Sequence, residues 1–386
     1  MNNEKVHNRH CPPCGQSPSI VFIITRADDL GGAQVHVRDL AAALVEQGEQ
    51  VLVLAGGDGV LFEELKARQV PCRKLEELIH PLQPFRDWRA FKEIRAVLQE
   101  LKPALVTTHS NKAGLLGRLA ARILNIPVIH TSHGFLFSGR KSTPAGRFYR
   151  LIEKIGALAA SKVVAVSENE FEIACSLEVI PAHKMRVIHN GLPDMGEEYR
   201  ADPLLEPPGL VMVARFEKPK DHETLFKALS GLKNRAWTLR LVGEGSGLQP
   251  AKRLAEQLNV SDRVSFLGMR DDVPAILASA QVFVLSSKRE GFPISILEAM
   301  RAGLPVVSSA VGGTAEEVED NQTGLLFAPG EARELQTALA RLLDEPFLRQ
   351  QMGRAGRRRF LEKFTMDQMV EKTKALYSEL TVYDDR

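Results

Sequence analysis

The sequence predicts an α/β protein made of two doubly wound, Rossmann-like domains that face a central cleft. Its 386 residues suffice for two or three domains. Short apolar runs alternate with amphipathic stretches along most of the chain, as in parallel sheets that helices cover on both faces. This alternation is interrupted at residues 191–209, where four prolines and acidic clusters indicate a linker.

The first domain is expected to span residues 19–195, after a polar tail at 1–18. Ile20 to Thr25 is a continuous apolar run of strand length. The next segment carries apolar residues at helical spacing up to Gly48, namely Val37, Leu40, Ala41 and Leu44. By the same reasoning, the further strands lie at 51–55, 104–108, 127–132, 163–167 and 185–188, and the further helices at 86–101, 112–124 and 145–160.

The second domain is expected to span residues 209–365, after a linker at 196–208. The predicted strands lie at 209–215, 238–242, 264–267, 282–286 and 305–308. The predicted helices lie at 221–233, 247–258 and in the arginine-rich stretch at about 347–380. We expect residues 366–386 to form a C-terminal helix that can return to the first domain.

The composition excludes several classes of protein. Hydrophobic residues make up 44% of the chain and charged residues 25%, which is a globular balance and not that of a disordered chain, a collagen or a coiled coil. The net charge of +2 argues against a dedicated nucleic-acid binder. Four cysteines are too few for a disulfide scaffold, and the sequence has neither a membrane-spanning apolar run nor a signal-peptide core. We expect a cytoplasmic protein.

The most informative motif runs from residue 286 to residue 313. Glu290 follows a predicted strand, and Gly291 lets a backbone approach a ligand closely. Pro293 suits the first helical position, and the free amides of that helix start can bind phosphate or hydroxyl oxygens. Glu298 on this helix can accept hydrogen bonds from a vicinal diol. The alternative is that Glu290 is a solvated loop residue and Glu298 an ordinary surface acid.

At this motif the sequence resembles the retaining nucleotide-sugar glycosyltransferases of family 4, which have the GT-B fold. Glu290 and Glu298 match the two glutamates of that family, which seven residues separate, and the resemblance extends from about residue 20 to residue 380. It implies a C-terminal domain that binds a nucleotide-diphosphate sugar, with UDP favoured, and an N-terminal domain that binds the acceptor. It also implies retention by front-face attack, with the leaving phosphate accepting the proton, and no need for a cofactor or a divalent metal.

The resemblance also assigns roles to individual residues. It implies that Glu290 and His133 act on the donor sugar as the catalytic groups. The donor-binding residues it implies are Gly31, Gly32, Arg215, Lys220, Gly291, Phe292, Pro293 and Glu298. Among these, Arg215 and Lys220 would hold the diphosphate, and Asp221 stands where the family usually has glycine. The loop that contains Gly312, Gly313, Thr314 and Glu316 resembles one near the diphosphate in the family.

Other positions carry weaker signals. Gly243, Gly245 and Arg270 are assigned to the side of the nucleotide base, although glycines after a strand are often only a turn. His109, Asn111 and Lys112 are candidate acceptor contacts because they follow a predicted strand. We interpret Asn190 and Gly191 as a hinge turn. Cys11 and Cys14, with two nearby histidines, invite a zinc interpretation, but no second pair supports it and we assign no metal.

Residues 80–162 are strongly basic, with fourteen Lys or Arg against four Asp or Glu. Aromatic residues interleave with these cations, a pattern that suits an anionic membrane or a diphosphate lipid. Two amphipathic helices with solvated basic faces would give the same pattern. The segments THSNKAGLLGRLAA and HTSHGF resemble family members that extend glycans linked to undecaprenyl diphosphate. This implies a glycan or lipid-linked acceptor and a role in capsule, exopolysaccharide or O-antigen assembly at the inner face of the plasma membrane.

Two alternatives to a glycosyltransferase stay open at this point. The first is a GT-B epimerase that acts on a nucleotide sugar without an acceptor, against which the two-glutamate motif argues. The second is a non-catalytic binding protein of the same fold, against which the intact Arg215, Lys220, Glu290 and Glu298 argue.

Overall fold

The computed structural model describes residues 19–138 and 143–381. The expected polar tail with Cys11 and Cys14 lies outside the described residues. By their contacts the described residues form two units. The first unit comprises 19–138, 143–166, 170–188 and 369–381, and the second comprises 167–169 and 189–368.

The first unit is built on a seven-stranded parallel sheet in the order β3-β2-β1-β4-β5-β6-β7. The strands are β1 (Ile20–Ile24), β2 (Val51–Gly56), β3 (Cys72–Leu75), β4 (Leu105–His109), β5 (Val128–Ser132), β6 (Lys162–Ala165) and β7 (Met185–Val187). The helices between them are α1 (Gly32–Glu46), α2 (Val60–Ala67), α3 (Pro84–Leu101), α4 (Asn111–Ile123), α5 (Pro144–Ala159) and α6 (Glu168–Ser176). Every residue of β1, β4 and β5 is buried, because helices cover both faces.

The second unit is built on a six-stranded parallel sheet in the order β10-β9-β8-β11-β12-β13. The strands are β8 (Gly209–Val213), β9 (Thr238–Val242), β10 (Val264–Gly268), β11 (Val282–Leu285), β12 (Val306–Ser309) and β13 (Gly324–Phe327). The helices are α7 (His222–Ser230), α8 (Leu248–Gln257), α9 (Val273–Ala278), α10 (Ile294–Ala302), α11 (Thr314–Glu317), α12 (Ala332–Asp344) and α13 (Pro346–Lys363). A last helix, α14 (Met366–Thr381), ends the described chain.

The prediction of two doubly wound sheets is confirmed, with corrections to single elements. The arginine-rich stretch holds two helices, α13 and α14, in agreement with the prediction of helices there. Strand β8 ends at Val213, so Arg215 lies in the loop beyond it. Pro293 is the residue before α10 and not its first helical residue. The short elements β3, β13, α2, α6, α9 and α11 and the longer helix α12 were not predicted.

The proline-rich segment at 191–209 is bonded to the second unit. Arg200 donates to the carbonyl oxygen of Arg301 at 2.6 Å, and Ala201 N–H donates to that of Ala302 at 2.8 Å. The buried Arg349 donates from Nε to the carbonyl oxygen of Pro203 at 2.7 Å. Within residues 19–138 and 143–381, no helix is both long enough and apolar enough to cross a membrane.

Each sheet has a point where the strand order reverses. In the first sheet this point lies between β1 and β4, and in the second it lies between β8 and β11. In doubly wound sheets, ligands bind beyond the carboxyl ends of the strands at such a point. The loops after these four strands are therefore where the chemistry of each unit is expected.

Candidate active site

At the switch point of the second sheet, a lysine and a glutamate form a short ion pair. Lys220 follows β8 and Glu290 follows β11, and Lys220 Nζ lies 2.5 Å from Glu290 Oε1. Ser287 Oγ donates to the same carboxylate oxygen at 2.5 Å. Both members of the pair are mostly buried, with side-chain exposures of 19% and 11%. The topology thus brings together two residues that sequence analysis selected seventy positions apart.

The backbone holds the two loops of this ion pair in register. Asp221 N–H donates to the carbonyl oxygen of Ser286, and Lys288 N–H donates to that of Pro219, both at 2.9 Å. Asp221 is also the N-cap of α7, where its carboxylate accepts from Thr224 N–H at 3.3 Å and from Thr224 Oγ1 at 2.8 Å. The structure therefore explains the aspartate at this position, because it caps the helix that follows Lys220.

A third loop, after β12, packs against the backbone of Glu290. Gly312 has a φ of +55°, and a Cβ atom there would stand 1.8 Å from the carbonyl oxygen of Glu290. A Cβ on Gly313 would stand 2.4 Å from the carbonyl oxygen of Gly291, to which Gly313 N–H donates at 2.8 Å. These two glycines are required by the close approach of two backbones.

The segment that leads into α10 is anchored by its side chains. Phe292 is buried, stacks on His189 with ring centroids 4.8 Å apart, and meets Phe364 edge-on. Its carbonyl oxygen accepts from Asn190 Nδ2 at 3.0 Å. Glu298 lies half-buried in the second turn of α10. Asn190, interpreted from sequence as a hinge turn, thus has a direct bond to the segment after Glu290.

Two adjacent glutamates near the ion pair have pKa values that are shifted in opposite directions. Glu316 accepts from the amides of Glu168 and Asn169 at 2.8 and 2.9 Å and from His189 Nε2 at 3.0 Å. Burial opposes ionisation, but these hydrogen bonds outweigh it and lower the pKa of Glu316. Glu317 is fully buried, and among the described residues neither of its carboxylate oxygens has a hydrogen-bond partner. Burial, with Glu290 and Glu316 nearby, raises the pKa of Glu317 well above its usual value.

The glycines assigned to the nucleotide base have a local structural reason. Gly243 and Gly245 have φ values of +138° and +146°, and a Cβ on either would clash with the carbonyl oxygen of Ala214 or Phe216. Arg270 is half-exposed and forms a bidentate ion pair with Asp272 at 2.7 Å. These contacts account for the loops without a ligand, and the assignment to a base stays a prediction.

Arg215 and His222 flank the lysine loop. Arg215 lies exposed two residues beyond β8. His222 is buried and stacks on Phe216 with ring centroids 4.2 Å apart. Burial, with Lys220 nearby, lowers the pKa of His222 to about 4, so its imidazole is neutral at physiological pH.

The switch point of the first sheet carries three histidines. His109 ends β4, His133 follows β5, and His36 lies in the second turn of α1. His109 Nδ1 lies 3.1 Å from His133 Nε2, and His109 Nε2 lies 3.2 Å from Thr107 Oγ1. Burial, followed by the neighbouring histidines, lowers the pKa of both His109 and His133 well below the usual value. Both imidazoles are therefore neutral.

The other predicted acceptor residues lie at the start of α4. Asn111 is exposed and is the first residue of that helix. Lys112 is nearly buried, and its Nζ donates to Asp87 Oδ1 and to the carbonyl oxygen of Pro81, each at 2.5 Å. The ammonium of Lys112 thus ties α4 to the first turn of α3, a role that the sequence did not suggest.

The glycine pair Gly31 and Gly32 forms the start of α1, directly after the loop that follows β1. Gly31 is the N-cap with a φ of −75°, so the backbone conformation itself does not demand glycine there. The first amides of the helix lack intrahelical partners and point toward the carboxyl edge of the sheet.

Several residues of both sites escaped sequence analysis. His36 was read only as part of an amphipathic helix, and Glu317 follows Glu316 without any sign of its burial. Tyr377 on α14 is buried, and its hydroxyl forms a hydrogen bond with Thr107, which in turn bonds to His109. A histidine about one helical turn after a glycine pair was the available signal for His36. For Glu317 and Tyr377 the sequence offered none.

Comparison with known proteins identifies the class of this fold and site. The profile described as "Glycosyltransferase Family 4" matches residues 30–194, and the profile "Glycosyl transferases group 1" matches residues 197–359. Among solved structures, Anabaena HepE in complex with UDP and glucose superposes with a TM-score of 0.82 at 21% identity, covering 94% of this chain and 99% of that one. The two profiles, together with this topology, identify a glycosyltransferase of the GT-B fold.

Sequence relatives agree with this class. The chain is 28% identical over 343 residues to the UDP-Gal:α-D-GlcNAc-diphosphoundecaprenol α-1,3-galactosyltransferase of Escherichia coli, covering 83% of this chain and 86% of the relative. It is 24% identical over 327 residues to the capsular polysaccharide biosynthesis glycosyltransferase CapM of Staphylococcus aureus, covering 78% and 85%. The chain belongs to glycosyltransferase family 4.

Proposed function

We propose that this protein is a retaining glycosyltransferase that moves a sugar from a UDP-sugar to a lipid-linked glycan acceptor during the synthesis of a bacterial surface polysaccharide. The observation that carries the proposal is the pair formed by Lys220 and Glu290 at the switch point of the second sheet, 2.5 Å apart. An ammonium there suits a diphosphate, and a carboxylate suits the hydroxyls of a sugar.

The cations of this site suit a donor diphosphate. Lys220 has three N–H donors, so it can bind a phosphate oxygen while it keeps its bond to Glu290. Arg215 presents an exposed guanidinium from the same loop, and this group matches phosphate geometry bidentately. Two cations on the diphosphate stabilise the charge that develops as it leaves. This gives Lys220 and Arg215 their proposed role in donor binding and in turnover.

The start of α10 supplies the remaining donor contacts. Its first N–H groups have no intrahelical partners, and Gly291 precedes them without a side chain. Glu298 in the second turn provides a carboxylate for the ribose diol. We therefore assign Glu298 to nucleotide binding and Glu290 to the transferred sugar.

We infer that transfer proceeds with retention by front-face attack. The bond from C1 to the phosphate oxygen breaks, the bond from C1 to the acceptor oxygen forms, and the leaving phosphate takes the proton of the acceptor hydroxyl. Glu290 acts in this scheme as a positioning carboxylate, because Lys220 and Ser287 already hold its Oε1. His133 is neutral, so it can exchange hydrogen bonds with a sugar hydroxyl.

The relatives support the choice of donor and acceptor. The name of the E. coli relative specifies UDP-Gal and an acceptor linked to undecaprenyl diphosphate, and the name of CapM specifies capsular polysaccharide. The Anabaena structure holds UDP and glucose. We infer a UDP-sugar donor and a lipid-linked acceptor for this chain on these grounds.

A lipid-linked acceptor requires access to a membrane, and α5 offers a surface for it. Four large apolar residues lie exposed along one side of this helix, at 45–77% exposure: Phe148, Leu151, Ile155 and Leu158. Exposed cations flank them at Arg147 and Lys154. An apolar stripe beside basic residues fits an anionic bilayer surface. We propose that α5 makes the peripheral membrane contact.

A thermal-shift and transfer experiment tests the proposed function. UDP-sugars should raise the melting temperature more than GDP- or ADP-sugars, because a ligand that binds the folded state stabilises it by mass action. The purified protein should then transfer that sugar to a polyprenyl-diphosphate glycan with retained configuration. Glu223→Gln is the matched control for variants of Glu290. It breaks an exposed Lys–Glu pair of 2.6 Å in the same unit and should not alter transfer.

Other outcomes would contradict the proposal in distinguishable ways. An epimerised nucleotide sugar released without an acceptor would indicate the epimerase alternative. A folded protein that binds no nucleotide sugar would overturn the donor site. Sedimentation with anionic vesicles tests the membrane contact separately: Leu151→Asp with Ile155→Asp should reduce binding, whereas unchanged binding would exclude α5 as the contact.

A further inference from the structure

The three histidines of the first unit come from three separate elements and converge on one point. His36 lies on α1, His109 ends β4, and His133 follows β5. Each offers one ring nitrogen, and the three nitrogens lie within 4.8 Å of one another. His36 and His109 are buried, and His133 is partly exposed, so an ion could reach the cluster from the side of His133.

The spacing of the rings matches that of imidazoles around one metal ion. Three imidazoles bound tetrahedrally at the usual zinc–nitrogen distance have ring centroids about 5.2 Å apart and ligand nitrogens about 3.4 Å apart. The centroids here lie 5.4 Å apart for His36 and His109, 4.8 Å for His36 and His133, and 5.4 Å for His109 and His133. The nitrogens of His109 and His133 lie 3.1 Å apart. Small side-chain rotations would complete the geometry.

The surroundings of His109 resemble the outer shell of a metal site. Metal-bound histidines usually donate their other ring N–H to a fixed oxygen, which sets the tautomer and orients the ring. His109 Nε2 lies 3.2 Å from Thr107 Oγ1, an oxygen that can accept its N–H and so leave the lone pair of Nδ1 facing His133. The Phe22 ring stacks on His109 almost in parallel, and the Tyr377 hydroxyl forms a hydrogen bond with Thr107. The ring is therefore held in place before any ion arrives.

We propose that His36, His109 and His133 form a binding site for one divalent transition-metal ion of the zinc class. Imidazole nitrogens prefer such borderline ions over Mg²⁺ or Ca²⁺. Three protein ligands leave the fourth position of a tetrahedral ion open. The site plays no part in the transfer chemistry, and it occupies His133, so an ion there acts as an inhibitor. The inhibition rests on the proposed function of His133, whereas the binding site does not.

The site is tested by titration of the full chain with Co²⁺. Cys11→Ser and Cys14→Ser are introduced first, so that the N-terminal thiols cannot bind the ion. We expect one equivalent of Co²⁺ to give the intense visible bands of tetrahedral coordination, and Zn²⁺ to abolish them. His36→Asn and His133→Asn should each weaken binding by more than about 100-fold, since loss of a second-shell partner alone costs 10–100-fold. His222→Asn, at a buried histidine of the second unit, should bind as the parent does.

Two results would overturn the proposal. One is the absence of tetrahedral bands at stoichiometric Co²⁺, and the other is binding that survives in both histidine variants. Circular dichroism and melting temperature establish that the variants are folded. If either histidine variant is not folded, anomalous scattering from Zn²⁺-soaked crystals of the parent protein decides the question. An anomalous peak within bonding distance of the three nitrogens supports the site, and the absence of a peak there excludes it. Full transfer activity at saturating Zn²⁺ would overturn the inhibitory role alone.

Discussion

Two ion pairs of almost equal length differ in where they lie in their units. Arg118 and Glu153 are 2.6 Å apart in the first unit, and Lys220 and Glu290 are 2.5 Å apart in the second. The first pair joins two helices, α4 and α5, and its side chains are 0% and 8% exposed. The second pair joins two loops at the carboxyl ends of strands, and its side chains are 19% and 11% exposed.

The difference lies in what surrounds each pair. Arg118 also donates from Nε to the carbonyl oxygen of Gly114 at 2.7 Å, and Gly156 has no side chain where a Cβ would meet the guanidinium at 2.4 Å. That pair is enclosed by its own helices and can serve only packing. The pair of Lys220 and Glu290 lies in loops at the carboxyl ends of strands and is partly exposed. Its ammonium and carboxylate can therefore form hydrogen bonds with a ligand as well as with each other. Position in the topology, more than distance or charge, separates this structural ion pair from the pair that we assign to the donor site.

The largest expected effect is on stability, from breaking the enclosed pair. Arg118→Ala leaves the carboxylate of Glu153 buried without its counter-ion, so we expect the free energy of unfolding to fall by about 3–5 kcal/mol. Urea denaturation measures it. The double variant Arg118→Met/Glu153→Leu should recover most of the loss, because an apolar pair needs no counter-ion. A loss below about 1 kcal/mol would show that this pair behaves like an exposed one.

The second effect concerns activity and separates the two glutamates of the second unit. Glu290→Ala should lower turnover by about 10²–10³-fold, the usual effect of removing one preorganised polar group at a reacting centre. Glu298→Ala should mainly weaken nucleotide binding. Steady-state kinetics with a UDP-sugar and calorimetric titration with UDP distinguish the two roles. If both variants kept full activity, the assignment of the site would be wrong.

A third, pH-dependent effect compares Glu317 with its neighbour. The folded-state pKa of Glu317 is raised, so the folded protein keeps a proton that the unfolded chain loses above its ordinary carboxyl pKa. This side chain therefore costs up to about 1.4 kcal/mol of stability per pH unit as pH rises from that value to the raised pKa, and the cost stays constant above it. Glu317→Gln should remove the cost and raise the melting temperature at pH 7.

Glu316→Gln is the matched control, because the folded-state pKa of Glu316 is lowered. Its contribution is present above the ordinary carboxyl pKa and is lost as pH falls through the lowered value. This variant should be less stable than the wild type at pH 7, with the deficit shrinking in acid. Melting curves from pH 3 to pH 8 test the pair, and shifts of the same sign in both variants at pH 7 would refute the contrast.

The smallest effect concerns Asp221, which links the lysine loop to α7. Asp221→Ala should cost about 1 kcal/mol through loss of the N-cap, whereas Asp221→Gly should cost only a few tenths. Thermal unfolding measures both. Equal losses in the two variants would mean that the carboxylate acts through Lys288, 3.7 Å away, and not through the helix.

The fold was predictable where burial is uniform along an element. Strands such as β1 read as continuous apolar runs because helices cover both of their faces. Strand β3 at the sheet edge has the sequence Cys-Arg-Lys-Leu, with only its two ends buried, so it carries no such run. Short helices such as α9 span too few residues to show a periodic apolar side.

The site was predictable where a motif follows a strand, and not where side chains pair across the fold. Glu290 and Lys220 could be selected individually, but their contact depends on the strand order. Lys112 is predicted as an acceptor contact because it follows a strand, and nothing in the sequence reveals that its ammonium also bonds to Asp87 and Pro81. The approach of His36 to the other two histidines is likewise set by how α1 returns onto the sheet.

The last helix gives the chain an unusual order of synthesis. Residues 369–381 of α14 belong to the first unit, where Tyr377 bonds to Thr107 and Lys374 to Gln47, yet residues 189–368 of the second unit are translated in between. At ribosomal speeds of about 5–20 residues per second, that interval lasts on the order of ten seconds or more. During this time the nascent first sheet has emerged but lacks its closing helix. The histidine-bearing half of the chain is therefore synthesised before Tyr377 exists to form its hydrogen bond with Thr107.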